Sequence, residues 1–327
     1  MRRRVFLASL AAFAAAWPPS GPAQTPPRRL IGVLLAGTKA SQVRAFSSFP
    51  QGMRELGYVE GRDYVIEERY AEADLTRLPT LANEIVRLKP DVIVTSTSVA
   101  ALPVAQATAS IPIVAVNLVD PVGLGLAGSE ARSGTNVTGT LFRLPGMTEK
   151  LLEIGLDLIP GATKIGVLVL TGATGGGLVQ QREIEAAIAK SKLKLIPAEV
   201  LARDQIGRAF QSLAHAGAEI VVAGLDVRIV AWRRQIAAFA LATRLPTIFS
   251  VRENVEDGGL VSYGINGPAS YHRAAYFVDR ILRGAKPTDL PIEFPTKLEL
   301  VINLTTAQAI GVAIPPALLA RADDVIE

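Results

Sequence analysis

The chain contains no cysteine among its 327 residues. This absence excludes disulfide bonds, thiolate catalysis, cysteine-ligated zinc and lipid attachment to an N-terminal cysteine. Histidine is nearly as scarce, since only His215 and His272 occur. Neither belongs to a short-spaced cluster of the kind that a zinc or iron site requires. We therefore predict no metal ion and no cofactor.

The sequence also lacks a basic stripe. Its formal net charge is +4, but Arg2, Arg3 and Arg4 contribute three of these charges within a segment that we expect to be removed. The remaining lysines and arginines are interleaved with aspartates and glutamates, so no face of the protein is predicted to be strongly positive. We therefore expect no nucleic acid partner.

No apolar run is long enough to cross a bilayer. The best candidate covers residues 5–17, which is shorter than the roughly 20 residues that a transmembrane helix needs. It follows the arginines at positions 2–4 and precedes the small residues Gly21 and Ala23, an order typical of a secretory signal. We predict that residues 1–23 form a cleavable signal peptide and that the protein has no direct membrane span.

The start of this segment also bears on the route of export. Residues 3–7 (RRVFL) resemble the twin-arginine pattern, although a basic start before apolar residues also serves general secretion. Both routes stay open. Either one would release a soluble protein, which in a bacterium means a periplasmic location.

From Arg29 the sequence alternates short β-branched runs with longer amphipathic segments. This pattern is typical of parallel strands joined by helices. The predicted strands are residues 31–35, 64–68, 92–95 and 113–116 in a first series, and 164–170, 193–197, 220–223 and 247–249 in a second. The sequence therefore predicts an α/β protein with two similar open parallel-sheet Rossmann-like lobes.

Further predicted elements remain after the second series, at residues 260–265, 271–282 and 299–304. A chain with elements left over is expected to cross between its lobes more than once, and we place the crossings near residues 140–142, 249–252 and 264–266. The predicted N-terminal lobe is residues 29–141 plus 250–265, and the C-terminal lobe is residues 142–249 plus 266–327. Lobes joined by such a multi-strand hinge enclose a cleft that can close on a ligand.

Candidate binding residues follow the strands of the first lobe, because ligands bind outside the carboxyl ends of open parallel sheets. These residues are Thr38, Ser96, Thr97, Ser98 and Asn117. Hydroxyl and backbone N–H groups at a helix start bind anions, but serine and threonine also cap helices without any ligand. Both roles stay open for the three residues at 96–98, whereas Asn117 is interpreted as a cleft residue.

In the second lobe the candidates are Thr171, Gly172, Thr174 and Asp226. The glycine-rich run at 171–177 lets the backbone approach a ligand closely, but it lacks the Gly-Lys-Ser/Thr ending of a phosphate loop. Asp226 either binds a cationic group such as an amine or caps the helix that follows it.

Phe142, Phe249, Ser250 and Tyr263 lie at or near the predicted crossings, where their side chains either flank a ligand or pack within the hinge. For catalysis we sought a nucleophile with a positioned histidine, a close carboxylate pair and a metal cluster. The predicted strands bring no such set together. We therefore predict that the protein is not an enzyme.

Several longer motifs resemble a known family. They are QGMRELGYVEG at 51–61, IPIV at 111–114, DPVG at 120–123, NVTG at 136–139 and PTKLELVINL at 295–304, with IPP at 314–316 near the end. Together they resemble the ABC-transporter substrate-binding proteins that include tryptophan- and tyrosine-type uptake proteins, which have a type I periplasmic binding protein fold. The resemblance covers nearly the whole chain.

This resemblance implies a monomeric subunit that closes on a small molecule and delivers it to a transmembrane ABC permease with its own ATPase. It also implies an aromatic amino acid or a related aromatic carboxylate as the ligand. A receptor domain of the same fold, which signals to a partner instead of feeding uptake, stays open as an alternative.

Overall fold

The computed structural model describes residues 28–172 and 176–327. Within them the strands, in chain order, are β1 (Arg29–Leu35), β2 (Tyr64–Tyr70), β3 (Val92–Thr95), β4 (Ile113–Leu118), β5 (Val137–Leu141), β6 (Lys164–Leu170), β7 (Lys194–Val200), β8 (Ile220–Ala223), β9 (Thr247–Phe249), β10 (Val261–Ile265), β11 (Ile292–Glu293), β12 (Leu298–Asn303) and β13 (Asp324–Ile326). The predicted signal peptide lies outside the described residues.

The helices alternate with these strands. They are α1 (Lys39–Phe46), α2 (Ser48–Glu55), α3 (Leu78–Arg87), α4 (Ser98–Ala107), α5 (Met147–Leu158), α6 (Gly176–Ala189), α7 (Ile206–His215), α8 (Val227–Ala231), α9 (Arg233–Thr243), α10 (Arg252–Glu256), α11 (Gly267–Leu282), α12 (Leu304–Ile310) and α13 (Pro316–Leu319). No helix in the two described ranges is long and apolar enough to cross a membrane.

The strands form two sheets. The first has the order β11-β5-β4-β3-β1-β2 and is parallel throughout. The second has the order β13-β12-β10-β9-β8-β6-β7, and in it only the β10–β12 pair is antiparallel. The predicted α/β class with two open, mainly parallel sheets is confirmed.

Each sheet is covered by helices on both faces, and we call a sheet with its helices a lobe. In the first lobe α1, α2 and α11 pack on one face and α3 and α4 on the other. All four residues of β3 (VIVT) are buried, as expected for a central parallel strand with helices on both sides. In the second lobe α7 and α9 oppose α5 and α6 across the sheet.

The chain passes between the lobes after β5, between β10 and α11, and between β11 and β12. The predicted crossing at residues 249–252 is wrong, because β9 and β10 are neighbours in the second sheet. Residues 250–265 therefore belong to the second lobe. In contrast, α11 packs against α2 and β4, so the segment from α11 to β11 belongs to the first lobe.

Two of the predicted helices are each divided in two. The helix expected over residues 43–56 is α1 followed by α2, and the helix expected over residues 229–243 is α8 followed by α9. Pro50 explains the first division, because proline has no N–H to donate to the carbonyl of Phe46, where α1 ends.

Candidate functional site

A cleft lies between the lobes at the carboxyl ends of their strands. From the first lobe, the cleft is lined by Ser41, Gln42, Ala45, Leu75, Ser96, Thr97, Ser98, Val99, Asn117, Val119, Gly267 and Tyr271. From the second lobe, it is lined by Gly177, Leu225, Asp226, Val227, Val230, Val251 and Glu253. Two further lining residues, Phe142 and Ile265, lie where the chain crosses between the lobes. The structure thus brings together six of the predicted residues, namely Ser96, Thr97, Ser98, Asn117, Phe142 and Asp226.

Five other predicted residues lie elsewhere. Thr38 caps α1 by accepting a hydrogen bond from the Ser41 N–H, and the hydroxyl of the fully buried Ser250 accepts one from Gln180 Nε2 at 2.8 Å. Tyr263 packs against the cores of the second lobe and the hinge. Thr171 and Gly172 do not line the cleft either. Thr174 lies outside the described residues.

The start of α4 forms one end of the cleft. The Thr97 hydroxyl caps the helix by accepting from the Ala100 N–H, and the Ser98 hydroxyl bridges both the N–H and the carbonyl of Val119 at 2.8 and 2.9 Å. These two hydroxyls therefore stabilise the protein itself. The first-turn N–H groups of Ser98 and Val99 have no acceptor among the described residues, which leaves them free to bind an anion at the positive end of the helix dipole.

Asn117, the second-last residue of β4, has an uncommon backbone conformation. Its φ is +60°, in the left-handed region that asparagine tolerates better than most residues. Its backbone N–H donates to the Thr140 hydroxyl at 3.3 Å, but its side-chain Oδ1 is buried without a hydrogen-bond partner in the part of the chain that the structure describes. Such an unpaired amide oxygen at the cleft is available to a bound molecule.

Asp226 already has partners. It caps α8 by accepting from the Arg228 N–H at 2.8 Å, and its two carboxylate oxygens accept from Arg228 Nε and Nη2 at 3.0 and 2.9 Å. Arg228 is fixed in turn by donating to the Thr171 carbonyl at 3.1 Å. Of the two roles left open for Asp226, the structure therefore shows the capping role, together with a bidentate ion pair.

Two polar residues of the cleft, Glu253 and Tyr271, were not predicted from the sequence. Glu253 lies in the first turn of α10, and no arginine, lysine or histidine of the described chain forms an ion pair with it. Burial raises the pKa of its carboxyl group above the usual value, and the negative charges of Glu256 and Glu299 add to this effect. The backbone N–H of Glu253 and the charge of Arg44 act in the opposite direction. Glu253 lies four residues after the end of β9, so the expectation that ligands bind beyond the carboxyl ends of strands could have found it.

Tyr271 is 2% exposed and donates its hydroxyl to Gln42 Oε1 at 3.1 Å. Burial raises the pKa of the phenol, so the hydroxyl stays protonated. It was missed because α11 was assigned to the other lobe, which would have directed this side chain away from the first sheet.

The rest of the cleft wall is largely apolar. Its side chains are Ala45, Leu75, Val99, Val119, Phe142, Leu225, Val227, Val230, Val251 and Ile265. No lysine, arginine or histidine is among the described residues that line the cleft. The cleft therefore combines a polar end, made by the start of α4, Asn117, Tyr271 and Glu253, with a wall suited to an apolar group.

The described residues also contain no group of three or more side chains placed to hold a metal ion.

The chain resembles known proteins over most of its length. Residues 31–326 match the family model described as ABC transporter substrate binding protein. A curated relative, the tyrosine-binding protein of Clostridioides difficile, is 26% identical over 280 residues, which are 86% of this chain and 80% of the relative.

Solved structures show the same fold. A conserved domain protein from Vibrio cholerae superposes with a TM-score of 0.84 at 26% identity, over 91% of this chain and 99% of that one. A Streptococcus pneumoniae ABC domain in complex with L-Trp gives a TM-score of 0.83 at 25% identity, over 91% of this chain and 100% of that one.

Proposed function

This chain belongs to the family of ABC transporter substrate-binding proteins, and we propose that it is the extracytoplasmic solute-binding subunit of an importer. Its ligand is an aromatic amino acid or a related aromatic carboxylate, bound in the cleft between the lobes. It works as a periplasmic monomer exported through its N-terminal signal, and it passes the ligand to a transmembrane permease driven by a separate ATPase. It catalyses no reaction.

The composition of the cleft supports this ligand class best. The free N–H groups at the start of α4 bind the carboxylate, and the apolar wall with Phe142 accommodates the ring. The relatives described as binding tyrosine or L-Trp agree with this choice. The end of the cleft that binds the ligand carboxylate is then lined and supported by four of the predicted residues, namely Ser96, Thr97, Ser98 and Asn117.

A thermal-shift screen of the purified protein tests the ligand class. The screen compares aromatic amino acids, aromatic carboxylates, aliphatic amino acids, sugars and purines, because a ligand that binds only the folded state raises apparent stability by about 2.7 kcal/mol at 100 times its Kd. We expect the largest shifts from L-tryptophan, L-tyrosine and their relatives. A shift confined to sugars or purines would reject the proposed ligand class.

Uptake is tested separately from binding. Cells that lack this chain are expected to lose import of the ligand found in the screen, and to regain it when the chain is supplied. Unchanged import in the deletion strain would contradict the transport role while leaving the binding result intact.

An ion pair between Arg44 on α1 and Glu256 on α10 joins the lobes. Arg44 is 61% exposed, and exposed pairs of this kind contribute little because water and salt screen them. We therefore expect Arg44→Gln to change the Kd for L-tryptophan or L-tyrosine by less than about five-fold. Calorimetric titrations at low and high salt check this, and a larger loss would mean that the pair controls closure.

A further inference from the structure

Two carboxylates line the cleft, and they differ in what surrounds them. Asp226 is bound by Arg228 through both oxygens, so its charge is already balanced. Glu253 has no ion-pair partner among the described residues, although its neighbour Glu256 contacts both Arg44 and Arg252. Since no basic side chain of the described chain lines the cleft, Glu253 leaves it with an unbalanced negative charge.

We propose that Glu253 binds the ammonium group of the ligand, and that the cleft therefore selects α-amino acids over aromatic carboxylates that lack an amine. This inference rests on the proposed function and narrows its ligand class. It assigns the ammonium to Glu253 and not to Asp226.

The position of Glu253 suits this role. Its Oε1 lies 3.5 Å from where a Cβ would stand on Gly267, so the side chain extends from α10 of the second lobe to the start of α11 in the first. Gly267 and Tyr271 lie one turn apart on α11 and both line the cleft, which places the carboxylate near its polar end. A zwitterion whose carboxylate meets α4 and whose ammonium meets Glu253 would connect the two lobes.

The electrostatics around Glu253 support the same assignment. Burying an ionised carboxylate without a counter-ion is unfavourable. Its surroundings do not offset this cost, because Glu256 and Glu299 oppose its ionisation and only its own backbone N–H and Arg44 favour it. Arg252 on the same helix binds Glu256 and Asp324 and lies 3.6 Å from Glu299. An incoming ammonium group would supply the missing positive charge.

Calorimetric titrations of wild type and E253Q with two matched ligand pairs test the assignment. The pairs are L-tryptophan with indole-3-propanoate, and L-tyrosine with 3-(4-hydroxyphenyl)propanoate, which lack only the amine. In wild type we expect each amino acid to bind at least about ten-fold more tightly than its partner, and E253Q to lose at least about ten-fold in affinity for the amino acids. The affinity of E253Q for the amine-free acids should be equal or higher.

E185Q is the matched control, because it makes the same substitution at an exposed glutamate of α6 that does not line the cleft. We expect it to change amino acid affinity by less than about three-fold. Tight wild-type binding of the amino acids with no loss in E253Q would overturn the role of Glu253 and leave the proposed function standing. Wild-type binding of the amine-free acids alone would likewise overturn the selection of α-amino acids and leave the proposed function standing, whereas failure to bind either kind of ligand would overturn both.

The stability of the empty protein gives a second readout. The pKa of Glu253 is raised in the folded state, so ionisation of this carboxyl group lowers the free energy of unfolding. The stability that the protonated group provides is fully present below the unfolded-state pKa, and it is lost as the pH rises through the folded-state pKa. E253Q should therefore have a higher Tm than wild type at pH 7 to 8, and the difference should vanish near pH 4. A lower Tm or loss of the fold in E253Q would show that Glu253 stabilises the protein, and would contradict the proposal.

Discussion

Replacing Val99 by aspartate is expected to weaken binding of L-tryptophan and L-tyrosine by about 100-fold or more while the protein stays folded. Val99 is the second residue of α4 and lines the cleft. A carboxylate there would occupy the positive end of the helix dipole and repel the carboxylate of the ligand. Like charges in contact cost several kcal/mol, which corresponds to this loss, whereas an acidic residue in the first turn favours the helix.

V99N is the control for this substitution, since asparagine has the shape of aspartate without its charge. Both variants lose the packing of the Val99 side chain against the core formed with α3 and α4, so the difference between them isolates the charge. We expect V99N to retain affinity within about ten-fold of wild type in calorimetric titrations. Equal affinities of the two variants would mean that the ligand carboxylate lies elsewhere.

The second large effect concerns Gly264, where alanine is expected to destabilise the protein by about 3 kcal/mol or more. Gly264 lies in β10, and a Cβ on it would stand 1.9 Å from the carbonyl oxygen of Ser250. That atom belongs to the backbone, so the strand itself would have to move, and forced overpacking of this kind is among the most costly single substitutions. Guanidinium unfolding followed by circular dichroism measures the loss.

Gly267→Ala is the matched control. It lies three residues further on, at the first position of α11, and its nearest neighbours would be 3.5 Å from the new Cβ, an ordinary contact distance. We expect its free energy of unfolding to stay within about 1 kcal/mol of wild type. If Gly264→Ala were equally well tolerated, the close approach of β10 to Ser250 would be refuted.

The fold could be predicted because its signals are local. Strands such as β3 and β8 are short, wholly buried β-branched runs between amphipathic helices, and this alternation can be read from neighbouring residues alone. The assignment of the last third of the chain to lobes could not be read in this way. It depends on the antiparallel pairing of β10 with β12 and on the packing of α11 against α2, both of which join residues distant in sequence.

The site was predicted in part for the same reason. The expectation that ligands bind beyond the carboxyl ends of strands found Ser96, Thr97 and Ser98 because β3 ends at Thr95, as predicted. It also found Asn117, although β4 continues to Leu118, two residues beyond its predicted end. It did not find Glu253, because residues 249–252 were expected to cross into the first lobe, whereas β9 and β10 are neighbours in the second sheet. The Arg228 side chain is near enough in sequence to have suggested the pairing with Asp226, whereas the lack of a partner for Glu253 is a property of the folded protein.

The account rests most directly on where an aromatic amino acid binds, and a crystal structure of the protein with L-tryptophan would show this. We predict the ligand in the cleft, with its carboxylate on the N–H groups of Ser98 and Val99, its ammonium on Glu253 and its ring beside Phe142. A ligand bound outside the cleft, or one whose carboxylate points away from α4, would contradict the account.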